Sequence, residues 1–352
     1  MDPEYFTSYD MCWGTLGTVR PFPGFHADRD ALEIQAALES KNAGTLVRIL
    51  TNRSNAQRQE VAQAYEGQTR KDLAAALKKA LSGDVEVLLL ELLMPPVQYE
   101  AYRLQQAMAG LGTDEETLME VLCTRSGPRL QEIRAVYKQM YKKELEKELK
   151  GETSGDFAKL VLALLNKSEA AGSVQRDVET LSASLNGKKA EAAPWIEVLT
   201  SRDSDHLNKV LTGLELTSGQ TVNLTVEKRF SGDFRLGLSV LVQCIQNADV
   251  YLARRLATMK SSLVHGIMVS HCEEDLLCIR AAFVKLTGAS LYSSLQVGVA
   301  CSAASDAALH IAHRHRGTDV FFSSNRNSSK EIICRLCWPS VGPKTEVLLV
   351  CV

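Results

Sequence analysis

Apolar residues recur at helical spacing along most of this chain. Val61 and Tyr65, Ile133 and Tyr137, Val210 and Leu214, and Ile279 and Phe283 are apolar pairs at i, i+4, each one stripe of a helix. The pairs stand at shared offsets from a recurring tetrapeptide, Leu50-Thr51-Asn52-Arg53, Leu122-Cys123-Thr124-Arg125 and Leu199-Thr200-Ser201-Arg202, with Met268-Val269-Ser270-His271 as a degenerate fourth copy. The closing residues of successive copies are 72, 77 and 69 positions apart. Twenty-nine residues past the first three stand Ser82-Gly83-Asp84, Ser154-Gly155-Asp156 and Ser231-Gly232-Asp233, where the fourth has Ala300-Cys301-Ser302. Self-similarity at a fixed period marks a repeat architecture.

Each copy predicts five short helices. An opening helix (31–38; 102–108) leads through a loop to a second that ends at the tetrapeptide, and a third starts at the Ser or Asp that follows. A fourth covers 71–81 or 142–149, and the fifth is strongly apolar (85–93; 157–165). Thr113 and Glu116 have the spacing of a capping box, with Thr113 as the cap. Pro95-Pro96 closes the first copy, and the small, polar stretch 168–173 separates the second from the third. The expected organisation is a tail over 1–28, repeats over 29–97, 98–167, 174–246 and 247–301, and a divergent segment over 302–352. The last repeat is degenerate and truncated, and residues 1–27 and 302–352 are expected to be the least ordered.

Composition agrees with a folded helical chain: 352 residues, 45% apolar, 23% charged, 22 Gly and 9 Pro exclude wholesale disorder, collagen and a disulfide scaffold. The apolar runs 160–165 and 347–352 fall far short of the ~18 residues a membrane span needs. Met1-Asp2-Pro3-Glu4 has neither the basic nor the apolar region of a secretory signal, so none is expected. A formal net charge of -2 gives no global attraction for nucleic acid or anionic lipid, so a local patch or a recruited cation must supply any such contact. The nine cysteines form no framework, which suits a reduced, cytoplasmic compartment. His310, His313, His315, Cys334 and Cys337 match no zinc module, and the segment carrying them reads as an alternative carboxyl end. No paired nucleophile and base, P-loop or dinucleotide fingerprint is present, so no enzyme is expected. Arg53, Arg125 and Arg202 read as pairing residues at helix ends, and 138–150 as a solvated basic face.

Two stretches of the second copy, Met108-Ala109-Gly110-Leu111-Gly112-Thr113-Asp114 and Glu152-Thr153-Ser154-Gly155-Asp156-Phe157, resemble the annexins. The resemblance covers roughly residues 29 to 296, and the second repeat follows the family pattern almost residue for residue. It implies an all-α fold of four five-helix repeats packed as a curved disc, whose convex face docks on membranes through Ca²⁺. It also implies a ligand set of the Met108, Gly110 and Gly112 carbonyls with the Glu152 carboxylate. Ca²⁺ takes about 6–8 oxygen ligands, so these leave positions for water or a lipid phosphate. The Gly-x-Gly turn lets successive carbonyls point one way. Taken alone, Gly-x-Gly is equally an ordinary turn between helices; the capped helix after it and the acid at the family spacing favour the ion.

The other repeats do not supply the set. Counting back 72 residues from Gly110, Gly112 and Glu152 gives Leu38, Ser40 and Ala80; counting on 77 gives Gly187, Lys189 and Arg229. The fourth repeat has 256–262 where the Gly-x-Gly-Thr portion is deleted, and Gly298 at the acid position. What the resemblance implies is a cytoplasmic, peripheral membrane protein that binds anionic, phosphatidylserine-like lipid through one Ca²⁺ loop. Protein partners would engage the N-terminal tail, and nucleic acid would not be bound. With one carboxylate the site is expected to be weak, near 10⁻⁴–10⁻³ M. The alternative is a scaffold of the same fold that works without Ca²⁺.

Overall fold

The computed structural model describes residues 16–110, 112–168 and 170–295. The expectations for residues 1–15 and 302–352, and Gly298, lie outside the described residues. Seventeen helices and no strand occur among the described residues, so the chain is all-α. The first repeat contributes α1 (Ala27–Glu39), α2 (Ala43–Thr51), α3 (Asn55–Thr69), α4 (Leu73–Ala80) and α5 (Gly83–Leu93). The second contributes α6 (Pro96–Ala107), α7 (Glu115–Thr124), α8 (Gly127–Tyr141), α9 (Leu145–Glu152) and α10 (Gly155–Leu165). The third contributes α11 (Val174–Ser184), α12 (Ala192–Ser201), α13 (Ser204–Ser218), α14 (Val222–Arg229) and the start of α15 (Gly232–Ala257). Then come α16 (Ser261–His271), α17 (Leu276–Thr287) and a helical turn over 291–295.

The repetition is written into the backbone. The third helix of each repeat ends on a left-handed residue at the matching position, Arg70 (φ 58), Lys142 (φ 58), Gly219 (φ 69) and Gly288 (φ 73). The Ser-Gly-Asp triplets start the fifth helices, with Gly83, Gly155 and Gly232 all at positive φ. The third helices begin on Ser54, Ser126 and Asp203, whose side chains accept from Gln57 N, Arg129 N and His206 N. Ser54 and Gln57 complete a full capping box.

Each Arg at the end of a tetrapeptide meets an acid on the opening helix of its own repeat. Arg53 is bidentate on Asp30 (2.6 and 3.1 Å), Arg125 contacts Glu100, and Arg202 is bidentate on Asp177 (2.9 and 3.3 Å). The pairing role read from the sequence is what these contacts show. Burial pushes Asp177 up, but the hydrogen bonds from Arg202 and His206 outweigh it and hold the carboxyl below its ordinary range. In the fourth repeat His271 instead contacts Asp275, four residues on (2.7 Å).

Two compact units result. Among the described residues, one joins residues 16–96 with residues 252–295, and the other is Val97–Tyr251. Ile34, Leu46, Ile49, Leu50, Leu88 and Leu89 form part of the buried core of the first. In the second, Trp195 packs edge-on to Phe230 and donates its indole N–H to Ser184 Oγ at 2.9 Å. Within the first unit, part of the expected tail is fixed. Leu16 N donates to Glu274 O, Val19 N to Cys272 O, and Leu277 N to Leu16 O, at 2.8–3.0 Å. A Cβ on Gly17 would sit 2.4 Å from the carbonyl carbon of Glu273, so glycine is what permits this approach.

Three further details add to the reading of the sequence. Pro96 opens α6 rather than closing the preceding repeat, since Pro is pre-organised for a first helical turn. Cys272 and Cys278 are more deeply buried than Cys123 and Cys244, and burial pushes the Cys272 thiol up to about 12. Helix α15 is long and apolar enough to cross a membrane by length and composition, but Asn247 breaks it with φ -169 and ψ 102. The Asn247 side chain accepts from Val250 N at 2.9 Å and so caps a new helix, leaving two pieces each shorter than the ~20 residues a span needs.

Candidate metal centre

The loop between α6 and α7 runs from Ala107 to Asp114, and its ends are closed by a backbone bond from Asp114 N to Ala107 O (2.8 Å). Inside it, Met108 N reaches Leu104 O and Gln105 O, and Ala109 N reaches Gln106 O, which winds down the last turn of α6. Gly110 and Gly112 then take φ of +104 and +90. A Cβ at either position would touch nothing within 4 Å. Glycine is therefore needed for the backbone conformation and not for want of room. Met108 is buried, while Gly110 and Gly112 are exposed.

Asp114 caps α7, and Thr113 does not. The Asp114 carboxylate accepts from Thr117 N (3.0 Å) and from the Thr117 hydroxyl (2.8 Å). This corrects the capping box: Thr113 lies one residue too early, and its hydroxyl is used elsewhere. It donates to the backbone carbonyl of Glu152 at 3.2 Å, 39 residues along the chain. The loop and Glu152 are thereby brought together. Glu152 is the last residue of α9, exposed, with no ion-pair or hydrogen-bond partner for its carboxylate among the described residues. Around it the basic face 138–150 is threaded with surface pairs, Lys138–Glu144 (2.6 Å), Lys143–Glu148 (2.7 Å) and Lys150–Glu146 (3.2 Å).

The third repeat builds the same loop with a different filling. Glu191 N closes on Ser184 O (3.0 Å), each residue 77 past its counterpart in the second repeat. Arg229, 77 past Glu152, donates from Nη2 to Leu185 O (2.5 Å) and Gly187 O (2.6 Å). Those two carbonyls correspond to Met108 and Gly110. Here a guanidinium stands among the carbonyls, and no carboxylate faces them from that position.

In the first repeat the closing bond runs from Asn42 N to Ala37 O, so the loop is two residues shorter. This corrects the matching of Leu38 and Ser40 to the two glycines, because a uniform step of 72 passes through a deletion. Ser40 caps α1 with φ -83, and Ala80 ends α4. In the fourth repeat the turn is Thr258–Lys260, with Met259 at φ 53, and no Gly-x-Gly occurs.

No group of three or more His, Cys, Asp or Glu side chains capable of holding a metal is found among the described residues. The second-repeat loop escapes that criterion, since its candidate ligands are three backbone oxygens and one carboxylate. An all-oxygen set with one formal negative charge suits a hard cation such as Ca²⁺ rather than zinc. The residues present fit the ion. Two contributors were hidden in the sequence: the Thr113 tether, and the carbonyls that receive Arg229. The second was recoverable, because the step of 77 that links Glu152 to Arg229 also links Met108 to Leu185 and Gly110 to Gly187.

The Annexin family pattern matches residues 29–92 and 99–164. Human (Homo sapiens) annexin A9 is 35% identical over 307 residues, covering 83% of this chain and 88% of that protein. Among solved structures, annexin III superposes with a TM-score of 0.80 at 30% identity, covering 91% of this chain and 96% of that one. Chicken annexin V in complex with Zn²⁺ superposes with a TM-score of 0.78 at 30% identity, covering 92% and 98%.

Proposed function

The chain belongs to the annexin family, and from that premise we propose that it binds anionic phospholipid membranes through a single Ca²⁺ loop, formed by the Met108, Gly110 and Gly112 carbonyls with the Glu152 carboxylate. Annexins are in general non-enzymatic proteins that bind phospholipid in a Ca²⁺-dependent way. The finer reading is supported above all by one observation: in the equally spaced third repeat, residue 229 reaches the carbonyls of residues 185 and 187 directly. By that spacing, Glu152 is the residue we assign to the carbonyls of Met108 and Gly110. The Thr113–Glu152 bond and the positive φ of both glycines point the same way.

The chain's own groups do three things in this scheme. The glycines turn the backbone so that its oxygens line one side of the loop. Thr113 ties that loop to the end of α9. Glu152 adds the one formal charge. When bound, Ca²⁺ would supply a positive charge with open positions for a lipid phosphate. The protein is then a cytoplasmic one that associates peripherally with phosphatidylserine-like surfaces, with no nucleic-acid partner, and its N-terminal tail is the segment left for protein partners.

Relatives with several working loops gain avidity, because each bridge after the first forms at high effective concentration. A short first loop, Arg229 in the third and a deleted fourth remove three such bridges, so binding should need Ca²⁺ near 10⁻⁴–10⁻³ M. The test is co-sedimentation with phosphatidylserine vesicles across a Ca²⁺ series. Wild type sediments at high Ca²⁺, and Glu152→Gln loses that response with its helical content unchanged. Sedimentation of Glu152→Gln at the wild-type Ca²⁺ concentration refutes the single-site reading. No Ca²⁺ response in wild type favours the scaffold.

A further inference from the structure

The third repeat carries its own cation. Arg229 closes α14 and places Nη2 on the carbonyls of Leu185 and Gly187 at 2.5 and 2.6 Å. A guanidinium stays charged at any physiological pH, so this loop holds a fixed positive charge where the second repeat has a carboxylate. The other terminal nitrogen, Nη1, has no protein partner among the described residues, and the side chain is half-buried. Lys188 and Lys189, at the positions of Leu111 and Gly112, follow at once on the same loop. Both are exposed and neither makes an ion pair among the described residues. The acids in the same two segments leave this group in positive excess: Glu227 pairs with Arg235 at 3.6 Å, and Glu191, at the start of α12, offsets only one of the three charges.

We propose that Arg229 is a built-in replacement for the bridging ion and that, with Lys188 and Lys189, it gives the third repeat a Ca²⁺-independent contact with anionic lipid phosphates. This deepens the membrane reading above and rests on it, since it takes the matching loop of the second repeat as the lipid-facing one. A lipid surface is favoured over a single free phosphate because the two lysines are exposed on a loop, where they act on a charged plane through its potential. Each basic residue at an anionic surface is worth about 1 kcal/mol, or about fivefold in partitioning, so three charges give on the order of 100-fold.

The experiment is co-sedimentation of the full chain in EGTA at low ionic strength, with phosphatidylserine-containing and pure phosphatidylcholine vesicles. Wild type should prefer the anionic vesicles by on the order of 100-fold. Lys188→Glu/Lys189→Glu, which alters only exposed residues, should lose at least 25-fold of that preference, a floor of about fivefold for each lysine. Arg229→Gln should lose about fivefold. Glu152→Gln removes a negative charge and should bind anionic vesicles in EGTA at least as well as wild type, while the lysine variant should still respond to Ca²⁺, at a higher concentration. The proposal is overturned by equal binding to both vesicle types in EGTA, or by a lysine variant that binds anionic vesicles like wild type. Displacement by millimolar inorganic phosphate at constant ionic strength would identify a single-phosphate site and overturn the lipid assignment. Loss of the Ca²⁺ response in wild type with retained EGTA binding would sink the second-repeat site and leave this contact standing.

Discussion

Asp30→Asn removes one charge from a pair that is closed off from solvent. The Asp30 and Arg53 side chains are 1% and 7% exposed, and both carboxylate oxygens accept from the guanidinium, at 2.6 and 3.1 Å. The amide keeps the shape of the carboxylate but offers one acceptor where there were two, and it turns its own N–H groups toward a cation. Breaking a buried pair from one side costs about 3–5 kcal/mol, because the remaining charge is left uncompensated. Two contacts soften this: Arg53 also donates to Asn52 O (2.9 Å) and lies 4.0 Å over the Phe22 ring. The expected loss is therefore at the lower end, about 3 kcal/mol, or roughly a hundredfold in the unfolding equilibrium. Urea unfolding followed by far-UV circular dichroism reads it. The apolar pair Asp30→Leu/Arg53→Met should recover most of the stability, since replacing both partners of a buried pair is close to neutral. A loss below about 1 kcal/mol for the single variant would refute the view that these arginine–acid pairs tie the second and first helices of each repeat. So would a double variant as unstable as the single one.

Thr113→Val deletes the tether to Glu152 and should raise the Ca²⁺ midpoint for vesicle sedimentation about fivefold, the worth of one hydrogen bond of about 1 kcal/mol. Thermal unfolding should be unaffected, and an unchanged midpoint would show that the loop holds its place without Thr113. His265 is buried with Nε2 unpaired; burial pushes its pKa below the ordinary value, opposed by Asp84. The folded state therefore keeps it neutral: this contribution is complete above about pH 6.5 and falls away as the pH is lowered toward the depressed value. His265→Leu should flatten the drop in melting temperature between pH 7.5 and 5.5, and an equal drop in both proteins contradicts this. Gly17→Ala should free residues 16–19 from residues 272–277 and speed thermolysin cleavage before Val19; unchanged cleavage would mean that the backbone can yield to a Cβ placed 2.4 Å from the Glu273 carbonyl carbon.

The repeats were legible because they show on two levels at once, as i, i+4 apolar pairs and as turn residues at fixed offsets. Arg70, Lys142, Gly219 and Gly288 share one left-handed position, yet only two are glycine, so composition alone would have missed half of them. The loop of the second repeat was visible from Gly110 and Gly112, whose positive φ leaves few alternatives to glycine. Arithmetic at constant period failed in the first repeat, because a two-residue deletion inside the loop puts the opening helix at a step of 70 while the helices after the loop keep a step of 72. The role of Thr113 could not be read locally: its neighbour Asp114 is the better-placed cap, and its own acceptor lies 39 residues away. Nor does any pattern announce that residues 16–19 lie against residues 272–277, since that contact is made by backbone atoms around Gly17.

The central claim is that one repeat, and only one, carries Ca²⁺. Equilibrium dialysis of the full chain with ⁴⁵Ca²⁺ and saturating phosphatidylserine vesicles counts the ions directly, once vesicle-only binding is subtracted. The account predicts one Ca²⁺ per chain, half-filled near 10⁻⁴–10⁻³ M, and none for Glu152→Gln. Two or more ions per wild-type chain, or one ion retained by Glu152→Gln, would contradict it.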